Sequence, residues 1–324
     1  MSQERLGATA AVEALAQQMR PRPKVWRIAA NFCIQKPLGG FGVIVTVILI
    51  IVAVFAPQIA PYDPLRAYTS LVFASPGASD ETEDPPIKLW MGGDRLGRDV
   101  LSRMVYGARV SLYVAVASVL AGVTVGALIG ITTAYFGGAI DLIGQRFVDA
   151  LMAVPGLIIA LVLLSVLGSA DAGGGFMGLA GLEKVILAIS VGFIPGTART
   201  IRSQALRVKE GDFVLAARAV GARDWRIILR HIAPNCFAAY LIIFTISMGW
   251  AVITEATLSF LGLGIPPDFP SWGGMLTGAT ETYTSVAPWL GVFPGVAIIT
   301  VVLAWNFLGD SLRDVLDPRM RGTG

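Results

Sequence analysis

Few side chains in this 324-residue sequence have the type and spacing needed for acid–base, nucleophilic or metal chemistry. His231 is the single histidine, and its segment offers neither a nucleophile nor a second ligand, which favours a helix residue at a membrane interface over a catalytic base. Cys33 and Cys236 lie far apart without CxxC or Cys/His ligand spacing, so neither a metal site nor a disulfide framework is indicated. No Gly-Lys dipeptide occurs, so the sequence lacks the loop that cradles nucleotide phosphates. The residues therefore support no enzyme class and no cofactor bound by this chain.

Glu255 is the exception, because it interrupts a long apolar segment, residues 232–267. A carboxylate inside a membrane span costs roughly 3 kcal/mol, and such groups face a cavity or a partner. Three roles are open for it: a proton carrier, a group that lines a pathway, or a clamp between helices. Its place in the outer part of the segment, near Thr257 and Ser259, favours the last two.

The composition indicates that these residues are positioned by membrane helices. Hydrophobic residues make up 55% of the chain and charged residues 15%, against about half and about a quarter in soluble domains. A helix needs about 20 apolar residues to cross the hydrocarbon core. The sequence therefore predicts an all-α polytopic membrane protein. Its six transmembrane helices are predicted in residues 38–60, 110–140, 150–170, 185–198, 232–267 and 282–309. The fourth of these is short, and we expect it to extend into the basic stretch that follows.

The distribution of lysine and arginine predicts the orientation, since short cytoplasmic loops carry their excess. The tail, residues 1–37, and the segment between spans four and five, with its helical part at about 212–230, are both rich in arginine and lysine. Both are predicted to be cytoplasmic, and so is the C-terminal tail, residues 311–324. Residues 61–107 carry mixed charge and are predicted to form an external subdomain, and residues 108–310 the permeation core.

Two patterns describe how the spans pack. Small residues recur every fourth position in span two, at Gly122, Gly126, Gly130 and Ala134, which lets a neighbouring backbone approach closely. We expect that neighbour to be another helix of the same chain rather than a second copy. Pro-Gly pairs at residues 155–156, 195–196 and 294–295 predict kinks in spans three, four and six. Such breaks favour a transporter.

The basic segment between spans four and five is predicted to be a bent projection. Asp212 is expected to cap a short helix that ends at Gly221, and Asp224 to cap a second one that closes before Pro234. Apolar side chains, Trp225 among them, alternate there with arginines. From the residues alone, a helix lying on the membrane surface and a docking element for a protein partner both remain open.

Three stretches resemble one family, the binding-protein-dependent ABC importer permeases. The segment VLAARAVG, residues 214–221, followed by Pro234, is similar to the family's cytoplasmic "EAA" signature, with Leu215 where that pattern has glutamate. GGDRLGRDVLSRMVYGARVSL, residues 92–112, resembles an external segment of the dipeptide and oligopeptide subfamily, with Gly93 where threonine is usual. ITEATLSFLGLGIPPDFPSWGGML, residues 253–276, resembles the subfamily's fifth span and following loop. The likeness extends from about residue 38 to residue 318, and neither the 66–88 insertion nor the N-terminal tail is part of it.

The resemblance implies a type I importer permease in the bacterial inner membrane, with a coupling helix between spans four and five. It implies several partners: a second, homologous permease, two cytoplasmic ATPases that bind ATP and Mg²⁺, an external substrate-binding protein and membrane lipids, but no nucleic acid. Residues predicted to contact an ATPase are Phe213, Ala216, Ala217, Gly221, Asp224, Trp225 and Ile228. Of these, Gly221 is expected to provide the bend and Trp225 to anchor the element. The external motif comprises Asp94, Gly97, Arg98 and Asp99.

The substrate class follows only from the family. Peptides are the expected cargo, with a peptide-like compound or a metal chelate as alternatives. Two functions from other classes also fit the residues: a proton-coupled carrier that uses Glu255, and a membrane scaffold or receptor whose basic segment binds a soluble protein.

Overall fold

The computed structural model describes residues 32–82, 85–167, 182–266, 269–277 and 285–316. The predicted N-terminal tail before residue 32 and the C-terminal tail after residue 316 lie outside this part of the chain. So do residues 83 and 84 of the acidic run, the loop residues 168–181, and two stretches between spans five and six, residues 267–268 and 278–284.

The described chain is mostly helical, as the composition predicts. Two small strands, β1 (Ser79–Asp80) and β2 (Ile87–Lys88), pair antiparallel within the loop that follows the first span. The helices are α1 (Pro37–Val54), α2 (Ala56–Ile59), α3 (Val100–Phe136), α4 (Gly138–Met152), α5 (Gly156–Leu167), α6 (Leu182–Lys209), α7 (Asp212–Ala219), α8 (Asp224–Ile227), α9 (Ala233–Phe260), α10 (Trp272–Thr277) and α11 (Trp289–Leu316).

Within the described ranges, five stretches of continuous helix are long and apolar enough to cross a membrane: α1, α3, α6, the run from α8 through α9, and α11. A sixth span is present if α4 and α5 count together, although they meet at an angle of 87°. The predicted count of six is thus matched only if this bent pair is one span, and span three is then not a straight helix. The expected extension of span four into the basic stretch is also confirmed, since α6 runs to Lys209.

The three Pro-Gly pairs differ in what they do to the helices. The chain leaves helical conformation between Met152 and Gly156, so the first pair separates α4 from α5. Pro195 and Pro294 instead lie inside α6 and α11, which continue through them. A proline inside a helix removes one hydrogen bond but can be accommodated where neighbouring helices pack around it, and both side chains are buried here.

The stripe of small residues on α3 packs against α6, as expected for contact within one chain. A Cβ atom built on Gly126 would lie 2.6 Å from the carbonyl oxygen of Ile194, and one on Gly130 would lie 2.5 Å from that of Ala198. A Cβ on Gly122 would collide with the carbonyl oxygen of Ser190. The two helix backbones therefore touch along about two and a half turns of α3, a separation that only glycine permits.

The loop between α2 and α3 folds into a small subdomain around the buried side chains of Tyr68, Leu71, Ile87 and Leu89. Asp80 fixes its hairpin by accepting hydrogen bonds from the hydroxyl of Ser70 and from the backbone N–H and hydroxyl of Thr82. These bonds, with the Ser70 bond contributing most, hold the pKa of the Asp80 carboxyl below its usual value. The predicted subdomain therefore contains a compact folded unit.

Long-range polar contacts place the helix ends on two sides. Lys36, just before α1, forms an ion pair of 2.8 Å with Asp314 near the end of α11. At the other end of α11, the indole of Trp289 donates to the carbonyl oxygen of Gly93 in the subdomain. The chain before α1 and the chain after α11 thus start from one side of the helix bundle, and the subdomain lies on the opposite side.

Replacing Gly126 by alanine tests the α3–α6 contact. The new methyl group would push two backbones apart, so we expect a loss of about 1–3 kcal/mol of stability, as for other overpacked sites. The measurement is the apparent Tm of the detergent-solubilised protein. Gly196→Ala is the matched control, because a Cβ at Gly196 has no neighbour within 4 Å, and it should leave the Tm unchanged. Equal behaviour of the two variants would contradict the packing.

Candidate functional site

The segment from Asp212 to Ile232 projects from the end of α6 and contains two short helices. The first, α7, begins one residue earlier than predicted: Gly211 is its N-cap residue, with extended backbone angles, and Asp212 is already in the first turn. The predicted capping role of Asp212 is therefore wrong. Its carboxylate instead lies near the N-terminus of α7, where a negative charge interacts favourably with the helix dipole.

Gly221 ends α7 as predicted. Its φ angle is +76°, in the left-handed region that glycine adopts without strain. The N–H of Gly221 donates to the carbonyl of Arg218 at 2.9 Å, and the N–H of Ala222 donates to that of Ala217 at 3.0 Å. This pair of bonds is a Schellman motif, which satisfies the last carbonyls of the helix and turns the chain sharply.

The second short helix departs from the prediction in two ways. Arg223 is the N-cap residue of α8, and the side chain of Asp224 accepts a 2.6 Å hydrogen bond from the hydroxyl of Tyr135 instead of capping the helix. The helix also does not close before Pro234. A π turn, Ile228–Ile232, follows α8, and the N–H of Ala233 bonds to the carbonyl of Ile228, five residues back. The wider turn admits a proline just beyond it, so the chain continues directly into α9.

One face of the segment is buried against the rest of the chain. Ala217 and Ile228, both predicted to contact a partner, lie in a cluster with the ends of α3 and α6, including Ile131 and Ile201. Ile228 is 4% exposed, so it anchors the segment to its own chain, and its predicted role as an ATPase contact is not open to it in this conformation. The sequence analysis missed the other anchors, Val214, Ile227 and Ile232. Val214 lies three residues before Ala217 and Ile232 four residues after Ile228, and this helical spacing is the signal that identifies a common buried face.

The opposite face is exposed and apolar. Of the predicted coupling residues, Phe213, Ala216 and Trp225 lie on it, with Phe213 47% and Trp225 64% exposed. Leu215 is 53% and Val220 84% exposed, and neither was among the predicted contacts. His231 lies beside the Phe213 ring, with 6.2 Å between the ring centroids. We call the exposed set Phe213, Leu215, Ala216, Val220 and Trp225 the apolar docking face; the arginines interspersed with it, also exposed, are Arg218, Arg223, Arg226 and Arg230.

Polar contacts attach the segment to the end of α3. Besides the Tyr135–Asp224 bond, the ammonium group of Lys209 donates to the carbonyl of Ala134 at 3.0 Å. The guanidinium of Arg218 lies 5.3 Å from the centroid of the Tyr135 ring, within range of a cation–π interaction. A force applied to the segment is therefore transmitted to α3.

Glu255 lies inside the protein between α9 and α3. It is fully buried, and its two oxygens accept hydrogen bonds from Ser111 on α3 at 3.1 Å and from Ser259 on α9 at 2.8 Å. Ser259 also accepts a bond from the backbone N–H of Ile265 at 3.2 Å. This geometry is that of a clamp between two spans, one of the roles that the sequence left open.

The four residues of the external motif organise the start of α3. Asp99 is fully buried and is the N-cap residue of α3, accepting from the N–H and hydroxyl of Ser102 at 2.8 and 2.6 Å. Asp94 accepts from the backbone N–H and the Nε of Arg98, at 2.9 and 2.7 Å. Gly97 has a φ of +74°, and a Cβ there would collide with the carbonyl of Tyr68. The motif therefore joins the subdomain to the membrane helices.

Substituting Glu255 distinguishes a clamp from a proton carrier. Glu255→Ala leaves Ser111 without its acceptor and opens a cavity, so we expect a loss of about 2–4 kcal/mol of stability, read from the apparent Tm in detergent. Glu255→Gln keeps a hydrogen-bonding side chain of the same size and should retain most of the stability. Thr257→Ala is the control, since that hydroxyl donates to the carbonyl of Ile253 within its own helix. A Tm for Glu255→Ala that equals the control would rule out the clamp.

Comparison with known proteins shows which family has a similar sequence. Residues 122–322 match the family described as "Binding-protein-dependent transport system inner membrane component", and residues 25–76 match the "N-terminal TM domain of oligopeptide transport permease C". The chain is 39% identical over 276 residues to the glutathione transport system permease protein GsiD of Escherichia coli O1:K1 / APEC, covering 85% of this chain and 84% of that protein. It is 36% identical over 274 residues to the GsiD protein of Pectobacterium atrosepticum, with the same coverage.

The matched regions include the segment from Asp212 to Ile232, Glu255 with Ser259, and the first span, and the relatives align over most of their length. Members of this family are membrane subunits without catalytic chemistry, and a partner ATPase hydrolyses the ATP. The chain therefore belongs to the binding-protein-dependent inner membrane transport components, as an ABC importer permease of the peptide and oligopeptide type.

Proposed function

We propose that this chain imports small peptides or peptide-like solutes, and that the segment from Asp212 to Ile232 is the part that an ATPase moves. The observation that carries this proposal is the two-sided structure of the segment. One side is packed into the ends of α3 and α6, and the other is an apolar docking face that the chain leaves uncovered. Large aromatic side chains that are exposed on one face are typical anchors of protein interfaces.

The composition of the docking face suggests how the ATPase is held. Leu215 occupies the position where the family pattern has glutamate, and it is exposed beside Phe213 and Ala216. Docking here rests mainly on apolar burial in a groove of the ATPase, and the surrounding arginines add charge complementarity at the rim.

The remaining partners follow from the family and from the exposed surfaces. A second, homologous permease pairs with this chain, each permease docks one of two ATPases, and an external binding protein delivers the solute. ATP and Mg²⁺ are bound by the ATPases, in keeping with the lack of a Gly-Lys dipeptide in this sequence. Closure of the ATPases then switches the permease pair between inward-facing and outward-facing states.

The proposed orientation places both termini and the coupling segment in the cytoplasm. The arginine-rich segment lies at the same end of the bundle as the Lys36–Asp314 pair, and an excess of basic residues marks the cytoplasmic side. The subdomain that contains Asp94 and Asp99 is then external.

A peptide-like cargo is favoured over a metal chelate because the GsiD relatives are named for glutathione, itself a tripeptide with free carboxylates. The direct test is uptake into proteoliposomes that contain this chain, its partner permease, both ATPases and the cognate binding protein. Labelled glutathione and a labelled dipeptide should accumulate with ATP inside and not without it. Uptake driven by a proton gradient in the absence of the ATPases would refute the proposal in favour of a secondary carrier.

Gly221 tests the bend of the coupling segment. A valine there meets open space but is forced into a left-handed conformation at a cost of about 1–3 kcal/mol, which displaces the docking face. We expect Gly221→Val to insert normally in the membrane and to lose uptake. Gly221→Asn is the control, because asparagine tolerates this conformation, and it should keep most of the uptake. Normal transport by the valine variant would contradict a role for the bend.

Substitutions at Trp225 and Ile228 test which face of the segment contacts the ATPase and which is packed against the permease itself. Trp225→Ala removes an exposed anchor, so we expect it to weaken co-purification of the ATPase, at a cost of about 2–4 kcal/mol in binding, with the Tm of the permease unchanged. Ile228→Ala removes a buried side chain that packs the segment against its own chain, so we expect a lower Tm, equivalent to a loss of about 2–5 kcal/mol of stability. The opposite pattern, a stable permease with Ile228→Ala and an unstable one with Trp225→Ala, would show that the two faces are assigned wrongly.

A further inference from the structure

A cavity on the subdomain side of the protein has a chemistry that neither the clamp nor the coupling segment uses. It lies where the start of α3, the end of α9, α10 and the start of α11 meet, and its volume is about 190 Å³. That is the space of roughly six water molecules, at about 30 Å³ each. Its lining residues come from the ends of these helices and from the loops that join them to the rest of the chain.

One wall of the cavity is strongly basic. Arg95, Arg98 and Arg103 line it together with a single carboxylate, Asp94. Asp94 is already engaged: its Oδ2 accepts from the Nε of Arg98 at 2.7 Å and lies 3.6 Å from the Nε of Arg103. Among the described lining residues, three positive charges are thus balanced by one negative charge.

The guanidinium groups keep hydrogen-bonding capacity. The side chains of Arg98 and Arg103 are only 12% and 7% exposed, so water satisfies them poorly. Each guanidinium has five N–H donors. Within the described chain, Arg103 donates to the carbonyl of Pro64 at 3.3 Å, and the side chain of Arg98 donates to Asp94. Charged donors that are partly desolvated and incompletely paired bind anions, above all planar carboxylates.

The facing wall is apolar. Ile265, Phe269 and Met275 line it, and Ser271 and Thr277 lie between the two walls. A pocket with apolar side chains on one side and a few convergent polar groups on the other is typical of small-molecule sites. The arrangement fits a carboxylate that is carried by an apolar residue, as at the C-terminus of a short peptide.

We propose that this cavity binds the carboxylate of a small peptide-like solute on the external side of the membrane, with Arg95 and Arg103 as the anion-binding groups. The proposal rests on the proposed function for its choice of solute and for the side of the membrane. The shape of the site favours a small solute over a segment of the binding protein, because the cavity has room for one carboxylate-bearing residue and Arg103 is buried in its wall.

The test compares a peptide with its amide. The complete transporter, in lipid nanodiscs without binding protein or ATP, is titrated with labelled alanyl-phenylalanine and with its C-terminal amide, which has the same shape but no negative charge. We expect saturable binding of the acid and a Kd about tenfold higher for the amide, which corresponds to about 1.4 kcal/mol. Equal affinities, or no detectable binding of the acid, would overturn the proposal.

Arg95 is the residue to substitute, because its side chain is exposed at the cavity and forms no hydrogen bond or ion pair within the described chain, so it is free to bind an anion. Arg95→Gln should raise the Kd of the acid by about tenfold and leave that of the amide unchanged. Lys88→Gln is the matched control: Lys88 is also exposed, belongs to the same subdomain and does not line the cavity. If Lys88→Gln weakens binding of the peptide acid as much as Arg95→Gln does, the effect comes from the overall charge of the subdomain, and the proposed site is refuted.

Two further measurements are needed. Capture of the binding protein shows whether the cavity binds a solute or a side chain of that protein, and uptake shows whether the cavity proposal and the proposed function fail separately. If Arg95→Gln weakens capture of the cognate binding protein but leaves the peptide titration unchanged, the cavity accepts an acidic side chain of that protein, and the solute site is wrong. ATP-driven uptake is measured in parallel. Acid-specific binding without peptide uptake would refute the proposed function and leave the cavity proposal standing, whereas peptide uptake without acid-specific binding would refute the cavity alone.

Discussion

The close approach of α3 and α6 is the contact on which the rest of the structure depends. Glycines at 122, 126 and 130 let the α3 backbone touch the carbonyl oxygens of Ser190, Ile194 and Ala198. In a bilayer, helix association draws on packing and not on the hydrophobic effect between the helices, so this intimate contact contributes directly to stability. Its continuation toward the end of α3, with Ile131 on α3 and Ile201 on α6, is the platform on which the segment from Asp212 to Ile232 is packed.

α3 also joins the two ends of the molecule. Its 37 residues span about 55 Å at 1.5 Å per residue, from the cap at Asp99 to the Tyr135–Asp224 bond. The basic cavity lies at its first turns, Glu255 is bonded to it through Ser111, and the coupling segment is attached at its last turn. One continuous helix therefore connects the segment from Asp212 to Ile232 with the basic cavity, without an intervening loop.

Sequence reasoning predicted the features that depend on local pattern. The membrane spans follow from length and hydropathy, the α3–α6 contact from glycine spacing, and the helix end at Gly221 from the conformational freedom of one residue.

Prediction from the sequence failed where a side chain had two competing partners. Asp224 has the right type and position for an N-cap, but Tyr135, 89 residues away in sequence, takes its carboxylate. Likewise, the sequence could not separate Ile228 from Trp225, since burial is decided by distant helices. The cavity was not predicted at all, because its walls come from the ends of four helices and from loops between them that only the fold brings together.

The burial of Glu255 bears on how transport is energised. Both carboxylate oxygens are occupied by serine hydroxyls, and no part of the side chain is accessible to water. A proton carrier must exchange its proton with each side in turn, which requires access that this geometry does not provide. A carboxylate in this position acts by fixing α9 to α3, so that the two spans move together when the coupling segment is displaced. This agrees with the family to which the chain belongs, in which the energy comes from a partner ATPase and not from a carboxylate of the permease.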